Sequence, residues 1–394
     1  MAEVNPRRVE LYVRNFERAL EEYTAEEPFA RFLTRFFKEN KQMGSSDRRM
    51  TSRLCYNFFR LGQAIPTAEP MQRLIVAEFL CESSSPIVSL YEPEWQTVSG
   101  ESLETKITFL QGLGIEVSQT IFPYTENLSA TIEPTYFSLS HLIQPDLFIR
   151  AKKAEVEQVE RALLKHKISF LREGDTGFRL ANGSRLQDVR GIKGRYEVQD
   201  LSSQETINAF QIAGKESWWD ACAASGGKSL MLLDMYPQLD LLVSDIRLSI
   251  LRNLNERFEE AGVKTMAYRQ KIIDLTGDVS AILGSEQFDG ILLDAPCSGS
   301  GTWGRTPEMI QQFSVGKIKH FADLQKKIAR NVVPYLKRNG TLIYITCSVF
   351  SDENEAVVAY LEKTFGLVVE ESRTINGYTK RADSMFVARL RKIN

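Results

Sequence analysis

Apolar residues recur at two different spacings along the chain. From residue 7 to about residue 80 they are three or four positions apart, as in Val9, Val13, Phe16 and Leu20, which is the spacing of one face of an α-helix. From about residue 206, short apolar runs alternate with helix-like segments. The first pattern predicts a helical bundle, and the second predicts a sheet with helices between its strands.

These patterns divide the chain into three predicted domains. The helical bundle is extended by a further helix-like stretch that ends near Gly112, and it is expected to cover residues 1–140. Residues 141–205 contain shorter, glycine-bounded pieces and are predicted to form a small basic α/β module. Residues 206–394 are predicted to form a Rossmann-like α/β domain with a doubly wound, mostly parallel sheet.

Four strands of the last domain can be placed from the sequence. Each is a short apolar run followed by small, polar or acidic residues, which is typical of buried parallel strands. Because strand ends near the switch point of such a sheet face the ligand crevice, the residues after these strands are candidates for function. The predicted strands are Ser217–Cys222, Asp240–Ser244, Gly290–Leu293 and Thr341–Ile345.

Composition excludes several classes of protein. Hydrophobic residues make up 43% of the chain and charged residues 25%, and no apolar run reaches the roughly 18 residues that a membrane span needs. The segment Met1–Arg8 lacks the apolar core of a secretory signal. Five cysteines form no CxxC pair and the three histidines are far apart, so no metal is predicted and reduced thiols in the cytoplasm are expected.

The charge distribution leaves two interpretations open. The net charge of −2 argues against a nucleic-acid partner, because phosphate neutralisation supplies most non-specific affinity. However, residues 31–60 carry eight basic and two acidic side chains, and residues 150–195 carry twelve and six, as a local polyanion-binding surface would. From charge alone, solvated helix faces are the favoured explanation.

A glycine-rich segment after the first strand indicates a ligand. Asp220–Ser229 joins that strand to a helix, where small residues let a ligand approach backbone amides. A phosphate-binding GxxxxGK[ST] loop would need glycine where Cys222 stands, and the dinucleotide GxGxxG pattern is absent. A nucleoside cofactor without a pyrophosphate fits better. Its expected binding residues are Cys222, Ala223, Ala224, Ser225, Gly226, Gly227 and Lys228, with the Cys222 thiol itself in a packing role.

Two acidic residues are candidates for the nucleoside. Asp245 ends the second strand nineteen residues after Gly226, near the position at which an acidic side chain accepts hydrogen bonds from ribose. The alternative for Asp245 is a cap on the following helix. Asp274 follows the predicted third-strand region and is a weaker candidate for the adenine side, with Asp278 close by.

Two cysteines stand out from the other three. Cys297 follows Asp294 after one strand, and Cys347 follows the next strand placed along the chain, each among small polar residues that allow a thiol to be exposed and activated. Cys55 and Cys81 are expected to be buried packing residues. Because both strands end at the same edge of the sheet, we expect the thiols at 297 and 347 to converge.

The combination of motifs resembles the RNA 5-methylcytosine methyltransferases of the Sun/Nop2 type. The resemblance extends from about residue 196 to the end and is closest to the bacterial 16S ribosomal-RNA branch, which has a helical domain like the NusB antitermination factor. The motifs that carry it are Val198–Ser203, Asp220–Ser229, Asp294–Thr302, Pro307-Glu308, Leu324-Gln325, Tyr344–Ser348, Glu353-Asn354-Glu355 and Asp383–Leu390.

The resemblance implies a cofactor, a substrate and a role for each residue. It implies S-adenosyl-L-methionine as methyl donor, carbon 5 of an RNA cytosine as acceptor, and Cys347 as the nucleophile at carbon 6. Cys297 would assist release of the product, and Asp294 would contact the donor and hydrogen-bond ring nitrogen 3 and the amino group of the base. Lys228 would shape the pocket. The expected protein is a monomer that binds RNA and neither metal nor membrane.

Some features depart from the family or leave alternatives. Ser225 stands where the family has proline, and Ile250 stands where it usually has an arginine, with Arg247 and Arg252 as neighbours that could substitute. Tyr196 and Trp303 are expected either to stack on RNA bases or to pack in the protein. Transfer RNA in place of ribosomal RNA, and a non-catalytic RNA-binding ribosome-assembly factor, remain alternative functions.

Overall fold

The structure is a computed structural model, which describes residues 5–117 and 121–393. Met1–Val4, half of the segment used to predict the absence of a secretory signal, lie outside the described residues. The chain divides into two compact units. The helical unit comprises residues 1–126, 133–144 and 303–314, and the sheet unit comprises residues 127–132, 145–302 and 315–394.

The N-terminal part of the helical unit consists of short helices that begin at polar or proline residues. The side chain of Asn5 accepts a hydrogen bond from the backbone of Arg8 at 3.3 Å, and Ser102 caps a later helix in the same way. Their apolar faces meet in a core rich in phenylalanine. The helices are α1 (Pro6–Glu22), α2 (Phe29–Glu39), α3 (Ser45–Arg60), α4 (Pro70–Cys81), α5 (Pro86–Tyr91), α6 (Leu103–Gly112) and α7 (Pro134–Ser140).

The sheet unit begins with a small antiparallel sheet. Its strands lie in the order β2-β3-β1-β4, and α8 buries Val159 and Leu163 against them. Arg150 of this sheet is buried and pairs with Asp234 at 2.8 Å. The elements are β1 (Leu147–Ala151), α8 (Val156–Lys165), β2 (Phe170–Glu173), β3 (Gly177–Leu180) and β4 (Tyr196–Val198).

A seven-stranded sheet follows, in the order β10-β11-β9-β8-β5-β6-β7, and β11 runs antiparallel to the strands on either side of it. Helices cover both faces of the sheet. From β5 the chain adds β6 and β7 on one side, and then β8 and β9 on the other side, so the topological switch point lies between β5 and β8. The remaining elements of the chain are α9 (Leu201–Glu205), β5 (Ser217–Asp220), α10 (Gly227–Met235), β6 (Asp240–Asp245), α11 (Leu248–Glu260), β7 (Tyr268–Ile272), α12 (Ser280–Leu283), β8 (Phe288–Asp294), α13 (Glu308–Gln312), α14 (Gly316–Val332), β9 (Leu336–Thr346), α15 (Glu355–Phe365), β10 (Leu367–Ile375) and β11 (Met385–Lys392).

The doubly wound, mostly parallel sheet predicted from the sequence is therefore confirmed. Three of the four predicted strands lie inside observed ones, and β5 ends at Asp220, two residues earlier than expected. The switch between β5 and β8 brings the glycine-rich segment and the Asp294–Thr302 motif to one edge of the sheet, where ligands bind in such folds.

One segment of the predicted α/β domain belongs to the helical unit instead. Residues 303–314 follow the Cys297 motif in sequence but are assigned to the helical unit. Trp303 is 1% exposed, with its ring centroid 5.8 Å from that of Phe122 and 4.9 Å from that of Phe313. Its aromatic surface is thus used in packing, which is the second of the two roles considered for it.

Residues 127–132 lie in the part of the chain predicted to form the helical domain, but they belong to the sheet unit. The backbone of Ser129 donates to Val349 at 2.8 Å, and the backbone of Ser351 donates to Asn127 at 2.9 Å. These bonds join the segment to the chain just after Cys347.

Among residues 5–117 and 121–393, no helix combines the length and the apolar character needed to cross a membrane.

Candidate active site

The two cysteine loops meet at the carboxyl ends of β8 and β9. The sulfurs of Cys297 and Cys347 lie 3.3 Å apart, within hydrogen-bond distance. Two backbone bonds fasten the loops together, from Ala295 to Ile345 and from Gly301 to Cys347, both at 2.9 Å. The convergence expected from the strand ends is therefore found in the structure.

Gly301 is required for this close approach. A Cβ atom at this position would lie 2.0 Å from the carbonyl oxygen of Ser384 and 3.0 Å from that of Cys347. Both neighbours are backbone atoms next to strand ends, so a side chain at this position would displace the end of a strand. The glycine thus sets the distance between the cysteine loops.

The surroundings of the two thiols differ. The hydrogen bond with Cys347, burial, and negative charge on Cys347 and Glu353 together raise the pKa of Cys297 well above its usual value. Negative charge on Cys347 instead interacts favourably with the ammonium group of Lys228. The arrangement favours a proton on the sulfur of Cys297.

Lys228 joins the glycine-rich loop to the end of β8. Its ammonium group lies 2.7 Å from Oδ2 of Asp294. Burial alone would lower the pKa of Lys228, but the charge and hydrogen bond of Asp294 outweigh burial and raise it. The lysine is therefore held as a cation between the predicted cofactor loop and the cysteine loops.

The glycine-rich loop borders a cavity of about 240 Å³. Ala224 has φ +46° and Gly226 has φ +79°, and a Cβ at Gly226 would lie 2.5 Å from Cε1 of Phe258. This tight turn directs the loop around the cavity. The residues lining it are Val198, Gln199, Asp200, Ser203, Asp220, Ala223, Ala224, Ser225, Gly227, Lys228, Arg257 and Asp294.

The other predicted cofactor residues lie in different surroundings. Asp245 ends β6, is 7% exposed, and accepts from the backbone and Nε of Arg247 at 2.9 and 3.1 Å. Asp274 is exposed and accepts from the backbone and hydroxyl of Thr276. Cys222 is half-buried against the core of the sheet. Of the two arginines considered near the ribose, Arg247 contacts Asp245, whereas Arg252 is exposed.

Sequence reasoning missed part of the cavity wall. Gln199 and Asp200 line it from the segment before α9, and Ser203 lines it from α9 itself. The sequence pattern identified them only as motif residues without a role. Polar side chains beside a family motif were the available signal. In the part of the chain that the structure describes, no three His, Cys, Asp or Glu side chains are grouped closely enough to hold a metal ion.

Residues 208–391 match the family model described as 16S rRNA methyltransferase RsmB/F. This match covers the glycine-rich loop and both cysteine loops. Over residues 208–391 the chain is similar to the RsmB/F methyltransferases, and this stretch is referred to as the RsmB/F domain.

Relatives of the RsmB/F domain include two proteins named ribosomal RNA small subunit methyltransferase B. The one from Photorhabdus laumondii is 32% identical over 212 residues, which are 51% of this chain and 48% of that protein. The one from Klebsiella pneumoniae is 34% identical over 191 residues, or 47% and 43% of the two chains. The chain thus spans about half the length of the curated relatives it matches.

Solved structures extend the likeness in fold beyond the RsmB/F domain. The protein PH0851 has a TM-score of 0.72 at 20% identity, with 99% of each chain covered. NSun6 from Pyrococcus horikoshii, solved with SFG, has a TM-score of 0.59 at 18% identity and covers 69% of this chain and 97% of its own. At these identities the likeness concerns the fold alone.

One further feature of the RsmB/F domain escaped the sequence analysis. Glu353 is 0% exposed. It accepts from the backbone of Ser298 at 2.8 Å, the hydroxyl of Ser348 at 2.8 Å and the side chain of Gln325 at 3.0 Å. The motif Glu353-Asn354-Glu355 was noted only as a family signature, and nothing in its spacing showed that one carboxyl would contact both cysteine loops.

Proposed function

We propose that this protein transfers a methyl group from S-adenosyl-L-methionine to carbon 5 of a cytosine in 16S ribosomal RNA, through a covalent bond between Cys347 and carbon 6 of the base. The observation that carries the proposal is the pair of sulfurs 3.3 Å apart, next to the Lys228–Asp294 ion pair and the cavity at the glycine-rich loop. The RsmB/F match supports the same reaction class.

The residues at the cavity fit the methyl donor. Oδ1 of Asp220 is buried without a hydrogen-bond partner and belongs to a side chain that lines the cavity, so it is ready to accept a bond from a polar ligand. The backbone at Gly226 leaves no room for a side chain. Asp245, at the end of the adjacent strand, is suited to the ribose hydroxyls. NSun6, of similar fold, was solved with the S-adenosylmethionine analogue SFG.

The first task of the protein is to activate carbon 5 of the base. Carbon 5 of cytosine is a weak nucleophile, and attack of the Cys347 thiolate on carbon 6 forms a C–S bond and moves the double-bond electrons toward carbon 5 and the ring. The positive charge of Lys228 interacts favourably with negative charge on Cys347. Asp294 is assigned the hydrogen bonds to nitrogen 3 and the amino group. Bound S-adenosyl-L-methionine would supply an electrophilic methyl group; as carbon 5 bonds to that methyl carbon, its bond to the sulfonium sulfur would break and leave S-adenosyl-L-homocysteine.

The second task is to release the product. Carbon 5 must lose its proton to solvent, and the electrons of that C–H bond restore the double bond. The C–S bond to Cys347 breaks at the same time, and its electron pair returns to the sulfur. Cys297 lies against the departing sulfur and is assigned to assist this step. The two cysteines therefore have different roles in one site.

Exposed basic side chains in the region of the small sheet support RNA as a partner. Within residues 31–60, Arg35 pairs with the partly exposed Glu27, which agrees with a solvated helix face. Arg53 instead pairs with Glu78, which is buried. In residues 150–195, Arg185 and Arg190 are exposed and suited to phosphate contacts. The proposal places the protein in the cytoplasm, where ribosomal RNA is modified, and a monomer remains the expected state.

Two cysteine variants test the mechanism. Cys347→Ala is expected to abolish methyl transfer and to form no adduct, because the attacking sulfur is absent. Cys297→Ala is expected to accumulate a protein–RNA adduct that survives denaturing electrophoresis. The measurements are transfer of label from S-adenosyl-L-methionine and the mobility of the protein.

Cys81→Ala, in the helical unit, serves as the matched control and should retain both activity and normal mobility. An adduct with Cys347→Ala instead of Cys297→Ala would reverse the two roles. Labelling of transfer RNA but not of 16S ribosomal RNA would refute the substrate. Binding of RNA without any labelling would favour a non-catalytic factor, and bisulfite sequencing would identify the methylated base.

A further inference from the structure

The buried carboxyl of Glu353 is shared by the two cysteine loops. Its Oε2 accepts a hydrogen bond from the backbone of Ser298, the residue after Cys297. Its Oε1 accepts from the hydroxyl of Ser348, the residue after Cys347. One side chain therefore holds the residue that follows each cysteine.

Further hydrogen bonds hold Glu353 in this bridging position. The buried side chain of Gln325 donates to Oε2 at 3.0 Å, and the hydroxyl of Tyr344 donates to the Glu353 carbonyl at 2.7 Å. Burial raises the pKa of Glu353, whereas the hydrogen bonds from Ser298, Ser348 and Gln325 act in the opposite direction. A buried carboxyl is costly unless donors compensate it. Here two of the donors, Ser298 and Ser348, lie in the cysteine loops, and the third, Gln325, lies in α14.

We propose that Glu353 is a positioning residue, which holds the two thiols at their close separation and keeps Cys297 in the protonated form by its negative charge. The kinetic part of this inference rests on the proposed methyltransferase function, whereas the part that concerns the two thiols does not depend on that function. A hydrogen bond between two sulfurs requires one of them to carry the proton. The negative charge of Glu353 acts on Cys297 and favours the proton on that sulfur.

Two further observations agree with this assignment. The negative charge of Glu353 is one of the causes that raise the pKa of Cys297. The hydroxyls of Ser298 and Ser348 lie 3.1 Å apart, so both ends of the bridge also contact each other. Loss of the carboxyl would leave the Ser298 amide buried without its acceptor and loosen both loops.

The protonation part is tested on the protein without RNA or methyl donor. In a Cys347→Ala background, the rate of Cys297 alkylation by iodoacetamide is measured against pH, with the modified peptide resolved by mass spectrometry. Glu353→Gln keeps the size of the side chain but removes its charge, and it is expected to move the midpoint to lower pH by about one pH unit. Asp352→Asn, which removes an exposed charge one residue away, is the control and should leave the midpoint in place.

The positioning part is tested with both cysteines present. Glu353→Ala is expected to lower kcat by about 100-fold, because small displacements of reacting groups have effects of this order, while KM for RNA changes by less than about threefold. Glu353→Gln, which can still bridge both loops, should recover most of kcat at an unchanged melting temperature and so separates positioning from folding.

Two results would overturn the inference. One is an alkylation midpoint of Glu353→Gln equal to that of its background. The other is a Glu353→Ala protein with the parent's kcat, or with a change in KM alone. If the parent itself methylates no RNA, the proposed function fails, and the alkylation profile still decides whether Glu353 controls the protonation of Cys297.

Discussion

At the scale of single residues, Asp220 links the sheet to the cavity at the glycine-rich loop. Its Oδ2 accepts from the hydroxyl of Ser229 at 2.5 Å, and its Oδ1 is buried without a partner. Burial, with a further contribution from the negative charge of Asp294, raises the pKa of Asp220 from 3.8 to about 7. The folded protein therefore holds a proton on this carboxyl at a pH at which the unfolded chain has released it.

This shift predicts a pH dependence of stability. Between about pH 4 and pH 7 the folded state binds more protons at Asp220 than the unfolded state, so the free energy of unfolding falls as pH rises through this range. The contribution amounts to at most about 4 kcal/mol. Asp220→Asn removes this contribution. The free energy of unfolding, measured with denaturant from pH 4.5 to pH 8, should therefore change less with pH in this variant than in the parent.

Asp352 is exposed, so its replacement serves as the control for the replacement of the buried Asp220. Asp352→Asn should keep the pH slope of the parent protein. Identical slopes for the parent and Asp220→Asn would show that Asp220 is ionised in the folded state throughout the range.

At the scale of elements, the turn between β5 and α10 depends on Gly226. A side chain there would need φ near +79° and would bring Cβ within 2.5 Å of Phe258 and 2.9 Å of Leu254. The loop must then move away from α11, and the cavity wall moves with it. Gly226→Ala is therefore expected to raise the Kd for S-adenosyl-L-methionine at least about tenfold, measured by titration calorimetry.

Gly262, just after α11, is the control that separates the backbone strain of an alanine at positive φ from the steric clash of its Cβ with neighbouring atoms. It has φ +71°, and no described atom lies within 4 Å of the place where its Cβ would be, so Gly262→Ala carries the backbone cost of about 1 kcal/mol alone. Its donor affinity should stay at the parent value. Equal affinities for the two alanine variants would mean that contact with α11 does not shape the cavity.

At the scale of the whole molecule, each unit contains a segment from the part of the chain that builds the other. Residues 303–314 lie in the helical unit, directly after the Cys297 loop. Residues 127–132 lie in the sheet unit, bonded to the chain after Cys347. The Cys297 loop is therefore connected covalently to residues 303–314, and the chain after Cys347 is connected by backbone hydrogen bonds to residues 127–132. The stability of residues 303–314 depends on the core of the helical unit.

Trp303→Ala tests this dependence. Removal of a fully buried indole should lower the free energy of unfolding by about 3–5 kcal/mol and increase amide hydrogen exchange throughout residues 303–314. Trp95 packs on Phe79 in the same unit, so Trp95→Ala is the matched control. It should lower the free energy of unfolding by a similar amount, but the largest increase in hydrogen exchange is expected around α4. Unchanged exchange at residues 303–314 in Trp303→Ala would show that other contacts hold the segment.

Features that depend on neighbours along the chain could be predicted from the sequence alone. Helical spacing near Val9 and Phe16, apolar strands such as Gly290–Leu293, and small residues around Gly226 each reflect local rules of backbone and side-chain geometry. The convergence of Cys297 and Cys347 also followed, because parallel strands place their carboxyl ends at one edge of the sheet.

Only the tertiary structure decided features that depend on contacts between distant positions. The core position of Trp303, the pairing of Arg53 with Glu78 and the bridge formed by Glu353 leave no periodic signal in the sequence. Periodicity reports which side of its own element a residue faces, whereas the partner across the interface is selected by packing of the whole chain. For that reason the strands and thiols could be located from the sequence, but the carboxyl that holds the two thiol loops together could not.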